Sequence, residues 1–110
     1  MSNIDAVRAS MEAYHNQDID IASRLLADDF TFTSPQDDHI DKSAYLERCF
    51  PTADRFASSE ILALVASGAD SVLLLYEYEL TTGERYRNAE CITVRNGKLV
   101  ETQVFFGGRV

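Results

Sequence analysis

The sequence predicts an α+β fold in which helices come first and a curved antiparallel sheet follows. In the first half of the chain, apolar residues recur at helical spacing, whereas from residue 58 onward they recur at every second position. The last polar turn contains Asn96-Gly97, the strongest short signal for a β-hairpin. Successive hairpins give an antiparallel sheet, and the amphipathic helices are expected to cover one of its faces.

The first half predicts three helices and one strand. Residues 4–16 form a helix with an apolar stripe of Ile4, Val7, Met11 and Tyr14. Asp18 or Asp20 caps a second, short helix.

An alternating strand then covers residues 30–33 and stops at Pro35, and residues 36–39 form a polar loop. Asp41 caps the third helix, and Pro51 ends it because proline cannot continue the hydrogen-bond ladder. The three helices therefore all precede the region with the period of two.

The second half predicts four strands, at 58–66, 70–80, 84–95 and 98–106. Turn segments separate them, and no repeat, low-complexity stretch or linker interrupts the pattern. At 110 residues the chain is long enough for one core and too short for two, so residues 1–110 are expected to form a single domain.

Composition excludes several classes of function. Ten basic against eighteen acidic side chains give a net charge of −8, which repels phosphate backbones and disfavours nucleic-acid binding. No apolar run reaches the roughly 18 residues that cross a bilayer, and the N-terminus lacks signal-peptide features, so no membrane association and a cytoplasmic location are expected. Cys49 and Cys91 are interpreted as reduced, buried thiols rather than a disulfide or a nucleophile. No metal site and no cofactor motif is predicted.

A family resemblance rests on several stretches in a fixed order. They are Ala13-Tyr14-His15-Asn16-Gln17-Asp18, Leu26-Ala27-Asp28-Asp29-Phe30, Ser34-Pro35, Asn96-Gly97-Lys98-Leu99 and Phe105-Phe106-Gly107. Together they resemble the SnoaL-like polyketide cyclase and ketosteroid isomerase group of the nuclear transport factor 2-like superfamily, and residues 32–51 look like a bacterial subfamily of unassigned function. The resemblance spans the chain, but this fold hosts isomerases, cyclases, epoxide hydrolases, dehydratases and non-enzymes.

The resemblance implies a cone, a cystatin-like α+β barrel in which a bent antiparallel sheet wraps three helices and is open at one end. It also implies a homodimer packed through the outer face of the sheet. The residues expected to line the cone are Ser10, Tyr14, Phe30, Phe32, Ser34, Tyr45, Cys49, Leu74, Tyr76, Tyr78, Asn88, Glu90, Ile92, Thr102, Val104 and Phe106. This mostly apolar wall suits a small lipophilic molecule that carries a hydroxyl or a carbonyl.

The polar segment with Asp37, Asp38, His39 and Asp41 has two interpretations. It could bind a divalent cation, or present His39 as a base at the mouth of the cone. The simpler interpretation is a solvated loop followed by a helix cap at Asp41. The resemblance adds the expectation that Asp38 and His39 contact a ligand at the entrance.

Glu90 is the candidate catalytic residue. The even positions of residues 86–94 share the inner face, which places Glu90 among apolar neighbours. Loss of hydration raises the pKa of such a carboxyl, so that it can exchange a proton near neutrality. In ketosteroid isomerases an apolar site keeps an aspartic acid protonated, and the position of Glu90 resembles that of this aspartic acid. The alternative is that Glu90 pairs with an arginine or reaches solvent at the rim.

The sequence also departs from the resembling enzymes. The position of the ketosteroid isomerase general base falls on Ser34, and that of its oxyanion-hole tyrosine falls on Ser10. Epoxide hydrolases of this fold need an Asp–Arg–Asp set inside the cone. This sequence does not match that set, because Arg85 and Arg87 occupy strand positions that are expected to point outward. His15, at the end of the first helix, is interpreted as a helix cap.

Two functional hypotheses follow. The first is a cofactor-independent isomerase, cyclase or dehydratase in which Glu90 transfers a proton while Tyr14, Tyr76 and Asn88 position the substrate. The second is a non-catalytic module for ligand binding or dimerisation. Tyr14, Tyr45, Tyr76 and Tyr78 either pack in the core or offer hydrogen bonds to the ligand.

Overall fold

The α+β class is confirmed by the computed structural model, which describes residues 2–110. The helices are α1 (Asn3–Asn16), α2 (Ile19–Leu25) and α3 (Lys42–Arg48), and a 3-10 helix covers Phe50–Arg55. The strands are β1 (Leu26–Ser34), β2 (Asp37–Asp41), β3 (Phe56–Ser67), β4 (Ser71–Leu80), β5 (Arg85–Arg95) and β6 (Lys98–Arg109). The four predicted strands of the second half correspond to β3, β4, β5 and β6.

All six strands belong to one sheet, in the order β2-β1-β6-β5-β4-β3. β3 to β6 form the expected antiparallel hairpins, but β1 pairs with β6 in the parallel sense, with Phe32 opposite Thr102. Within residues 2–110, β2 and β3 are the outer strands and do not pair with each other, so the sheet curves without closing. The antiparallel barrel implied by the resemblance is therefore an open, mixed sheet.

The prediction of a loop at residues 36–39 is wrong. Most of that segment belongs to β2, which pairs antiparallel with β1 and sets Ile40 opposite Phe32. Because β2 is an edge strand, its polar side chains lie in water without cost, and so the segment lacks the apolar alternation of an inner strand. His39 has φ 50°, and its backbone N–H donates to Thr33 Oγ1 at 3.0 Å.

The predicted helix caps are present. Asp18, rather than Asp20, caps α2, with its carboxylate accepting a hydrogen bond from the Ile21 backbone N–H at 3.2 Å. Asp41 caps α3 in the same way through the Ala44 N–H at 2.9 Å. α3 ends at Arg48, before Pro51, which instead lies in the first turn of the 3-10 helix.

The apolar core lies toward one end of the strands. Its members are each at most 4% exposed: Ala6, Val7, Leu26, Phe30, Val72, Leu74, Ile92, Val94 and Leu99. Farther along β4 and β5 the inward residues become aromatic or polar, with Tyr76 paired opposite Asn88 and Tyr78 opposite Tyr86. The sheet therefore covers a packed core at one end and a differently lined space at the other. Among residues 2–110, no helix has the length and apolar character needed to cross a membrane.

Candidate ligand cavity and its acidic group

A cavity of about 710 Å³ lies between the helices and the inner face of the sheet. This volume falls within the range of about 300–1,000 Å³ that small-molecule sites occupy. The expected lining residues that do line it are Ser10, Tyr14, Phe30, Phe32, Ser34, Tyr45, Cys49, Tyr76, Tyr78, Asn88, Glu90, Ile92, Thr102, Val104 and Phe106. The expectation for Leu74 is wrong: it does not line the cavity, and its side chain packs in the core with 2% exposure.

Glu90 lies on β5 at the boundary between the core and the cavity. Its paired neighbours across the sheet are Leu74 on β4 and Val104 on β6, and Ile92, two residues further along, is buried. The alternation of β5 turns Glu90 inward and turns Arg85 and Arg87 outward. The carboxyl is therefore flanked by aliphatic side chains and by the hollow interior.

This environment raises the pKa of Glu90 to about 7, and burial is the main cause. The hydroxyl of Tyr76, the one side chain that acts on Glu90 by hydrogen bonding, has a smaller and opposite effect. A carboxyl with a pKa near 7 is protonated in about half of the molecules at neutral pH, so it serves equally as proton donor and acceptor.

Two hydrogen bonds along the inner wall join Tyr78, Asn88 and Tyr76, the residue whose hydroxyl acts on Glu90. The Tyr78 hydroxyl donates to Asn88 Oδ1 at 3.4 Å, and Asn88 Nδ2 donates to the Tyr76 hydroxyl oxygen at 3.3 Å. Since the oxygen of Tyr76 accepts from Asn88, its own proton is directed toward Glu90. Burial raises the pKa of Tyr76, so this hydroxyl stays protonated at neutral pH and acts as a donor.

Tyr14 is fixed by a different partner. The Thr52 hydroxyl donates to the Cys49 carbonyl at 2.7 Å, and this uses its single proton. The Tyr14 hydroxyl, 2.8 Å from Thr52 Oγ1, must therefore be the donor in that pair. Tyr14 thus offers a ligand an acceptor oxygen, whereas Tyr45 packs edge-on against Phe30 at 5.3 Å between ring centroids.

Aromatic rings form the outer part of the cavity wall. Tyr78 stacks on Tyr86 at 5.7 Å and meets Phe56 edge-on at 5.2 Å, and Tyr86 contacts Phe106 at 5.7 Å. Phe106 lines the cavity and yet remains 57% exposed, which marks it as part of the mouth. A ligand that enters therefore meets apolar ring faces first.

The cavity has polar members that the sequence reasoning missed. Arg48, Arg55, Asp37 and Thr52 all line it, from β2, the end of α3 and the 3-10 helix. His15, interpreted as a helix cap, lines it too, and burial lowers the pKa of its imidazole. The carbonyls at the end of α1 are instead met by Gln17, whose Nε2 donates to the Tyr14 carbonyl at 2.7 Å.

Asp38 and His39 are not brought to the cavity. His39 Nδ1 lies 2.6 Å from Asp38 Oδ1, and its Nε2 lies 3.7 Å from Glu101 Oε2. The side chains of His39 and Asp38 are 60% and 88% exposed, which agrees with the interpretation of a solvated segment. Over residues 2–110, no three His, Cys, Asp or Glu side chains are placed to hold a metal ion.

Ser34, Arg85 and Arg87 mark the differences from ketosteroid isomerases and epoxide hydrolases, and each lies on the face of the sheet that the sequence predicted. Ser34 lines the cavity, and its hydroxyl oxygen accepts from the Gln36 N–H at 3.2 Å. Arg85 and Arg87 both bind Glu77 on the outer face, with Arg87 Nε 3.0 Å from its carboxylate. In the described part of the chain, no arginine forms an ion pair with Glu90.

Sequence comparison identifies the family to which the chain belongs. The family model for the SnoaL-like domain matches residues 7–102, so the chain belongs to the SnoaL-like domain family. A search of the curated proteins found no match.

Solved structures share the fold at low sequence identity. A Kribbella flavida protein superposes with a TM-score of 0.84 and 23% identity over 94% of this chain and 84% of its own. An uncharacterised cystatin-fold protein from Novosphingobium aromaticivorans gives 0.77 and 20%, over 96% and 98% of the two chains. A LEH-like epoxide hydrolase from M. tuberculosis gives 0.72 and 21%, over 94% and 80%. At these identities the likeness is one of fold.

Proposed function

We propose that the protein binds a small lipophilic molecule in the cavity and that Glu90 transfers a proton to or from it. The observation that carries this proposal is the Glu90 carboxyl, set in an aliphatic wall of an accessible cavity with a pKa of about 7. The reaction class is cofactor-independent isomerisation or elimination next to a carbonyl, which begins with removal of a proton from carbon. Asn88 lines the cavity and has a second amide N–H besides the one it donates to Tyr76, which supports a role in holding the oxygen on which negative charge develops.

A model reaction tests the proton transfer without knowledge of the natural substrate. 5-Nitrobenzisoxazole is a planar apolar compound that a base opens in one step: the base takes the ring proton on carbon, a nitrile forms, and the N–O bond breaks to release a coloured phenolate. We expect the wild-type protein to accelerate this reaction, with a rate that rises as the pH passes through about 7. The Glu90→Gln variant is expected to lose about 100-fold of this rate.

The matched control is Glu60→Gln, because Glu60 is an exposed carboxylate on β3. It should keep the full rate. Equal rates in the Glu90→Gln and wild-type proteins would contradict the catalytic proposal.

A second candidate is ligand binding without chemistry, and the substitutions at Ser34 and Ser10 favour it. Both residues line the cavity, but a serine hydroxyl is a poor base without a basic partner. Both candidates require that the cavity binds a small apolar molecule. Binding of the neutral fluorescent probe N-phenyl-1-naphthylamine tests this requirement. We expect one probe per chain, and we expect Ser10→Phe to abolish binding by placing a ring in the cavity. Binding without acceleration of the model reaction would select this second candidate.

We also propose that the outer face of the sheet joins two copies of the chain. Neighbouring strands present an apolar patch there, with Val65, Leu73, Leu75 and Phe105 each at least 39% exposed. The charges beside it are already paired within the chain, as in Glu77 with Arg87, so two such patches can meet without stranding a charge.

Sedimentation velocity tests this assembly. The wild-type protein is expected to sediment as a dimer at micromolar concentration and Leu73→Glu as a monomer. Ile19→Glu, which changes an exposed residue on α2, is the control and should remain dimeric. A wild-type monomer would refute the proposal.

A further inference from the structure

Two arginines stand at the edge of the cavity and have no part in the proton transfer. Arg48 is the last residue of α3, and Arg55 is the last residue of the 3-10 helix. Both line the cavity, and both are exposed to solvent on their other side. In a chain with ten basic and eighteen acidic residues, two guanidinium groups on one cavity wall form a local positive region.

Arg48, Cys49 and Arg55 line the same cavity. Burial raises the pKa of the Cys49 thiol to about 11 and the Asp37 carboxylate adds to this effect, while Arg48 and Arg55 both oppose it. Burial also raises the pKa of the Tyr14 hydroxyl, and Arg55 again opposes the rise. Both guanidinium groups therefore act on Cys49, a residue that faces the cavity interior.

The carboxylates of the wall leave this positive charge partly uncompensated. Asp37 lies 3.4 Å from one nitrogen of Arg48 and also accepts from the Cys49 thiol at 3.7 Å. Within residues 2–110, no carboxylate forms an ion pair with Arg55.

The backbone holds Arg55 in place beside the mouth. Its carbonyl accepts a hydrogen bond from the Thr81 N–H at 2.9 Å, which ties the end of the 3-10 helix to the turn between β4 and β5. Phe56, the next residue, belongs to the aromatic wall through its contact with Tyr78. Arg55 thus directly precedes a residue of the aromatic wall, and recognition of an amphipathic molecule requires both a charged group and an apolar surface.

We infer that the ligand of this cavity is a lipophilic acid, whose anionic group binds Arg48 and Arg55 at the mouth while its apolar body lies against the aromatic wall. The inference rests on the proposed function and adds the class of ligand. The acid is held head-outward, and the end of the molecule remote from the acidic group faces Glu90. Guanidinium groups suit this role because they bind a planar oxyanion through two parallel hydrogen bonds.

Two fluorescent probes with a common skeleton test the inference. 8-Anilinonaphthalene-1-sulfonate carries an anionic group, and N-phenyl-1-naphthylamine has the same fused and pendant rings without it. For the double variant Arg48→Gln, Arg55→Gln we expect the affinity for the sulfonate probe to fall about tenfold, because each charge-assisted contact is partly screened by solvent. The affinity for the neutral probe should stay unchanged. Asp37→Asn frees Arg48 from its ion pair and should therefore increase the affinity for the sulfonate probe.

The double variant Arg24→Gln, Arg95→Gln is the charge-matched control. Both arginines are exposed, and neither lines the cavity. If this control lost as much affinity for the sulfonate probe as the Arg48→Gln, Arg55→Gln variant, the inference would be overturned, because the loss would then come from the change in net charge. If the Arg48→Gln, Arg55→Gln variant bound the sulfonate probe with unchanged affinity and still bound the neutral probe, the inference would be overturned and the proposed function would stand. Failure of the wild-type protein to bind the neutral probe would instead refute the proposed function.

Discussion

Ionisation of Glu90 is expected to lower the free energy of unfolding of the wild-type protein by about 3 kcal/mol as the pH rises, and the Glu90→Gln variant is expected to lack this decrease. In the unfolded chain this carboxyl ionises with its ordinary pKa of 4.5, whereas in the folded protein it ionises with a pKa of about 7. Between these values the folded state keeps a proton that the unfolded state has released. Raising the pH through this window therefore favours unfolding, and the penalty is complete above about pH 7.

Urea unfolding at a series of pH values measures this effect. The difference between the free energies of unfolding of the wild-type and Glu90→Gln proteins isolates it, because the other carboxylates titrate alike in both. The difference should grow in favour of the variant from about pH 4.5 to pH 7 and then level off. Glu60→Gln, on the outside of β3, should run parallel to the wild type. A constant difference for Glu90→Gln would mean that the carboxyl is hydrated.

Replacing Phe30 with Ala is expected to lower the free energy of unfolding by about 3–5 kcal/mol. Phe30 is 1% exposed and packs among the core residues of α1 and the sheet, where its ring also meets Tyr45 edge-on. The substitution leaves a void at the boundary between the core and the cavity. That boundary cannot collapse without moving β1, which is held on both sides by β2 and β6.

Phe106→Ala is the matched control for this prediction. It removes the same ring from a position that is 57% exposed at the mouth, and should cost less than about 1 kcal/mol. The comparison is made by urea unfolding at one pH. If Phe30→Ala cost no more than Phe106→Ala, the space beside Phe30 would already be loosely packed, and the division into core and cavity would fail.

Local chemistry made most of the fold predictable. Asp18 and Asp41 mark helix starts because their carboxylates satisfy free N–H groups of the first turn, which needs no tertiary information. The Asn96-Gly97 turn fixes the last hairpin, and strand alternation then decides that Glu90 points inward. These rules depend only on neighbouring residues, so they can be read from the sequence.

Features that depend on distant pairing were not predictable in this way. The parallel pairing of β1 with β6 joins Phe32 to Thr102, and no local pattern encodes it. β2 was missed because an edge strand tolerates polar side chains such as Asp38 and His39. Arg55 reaches the cavity because the chain continues past α3 as a 3-10 helix, whereas Pro51 indicated no more than the end of a helix.

Direct titration of Glu90 tests the central claim, that a carboxyl deprived of hydration lies on the cavity wall. The side-chain carboxyl carbons are observed by NMR in protein labelled with ¹³C at Glu, and the signal of Glu90 is assigned from its loss in Glu90→Gln. We predict a midpoint at a pKa of about 7. A midpoint near the ordinary value of 4.5 would show a hydrated carboxylate and contradict the account.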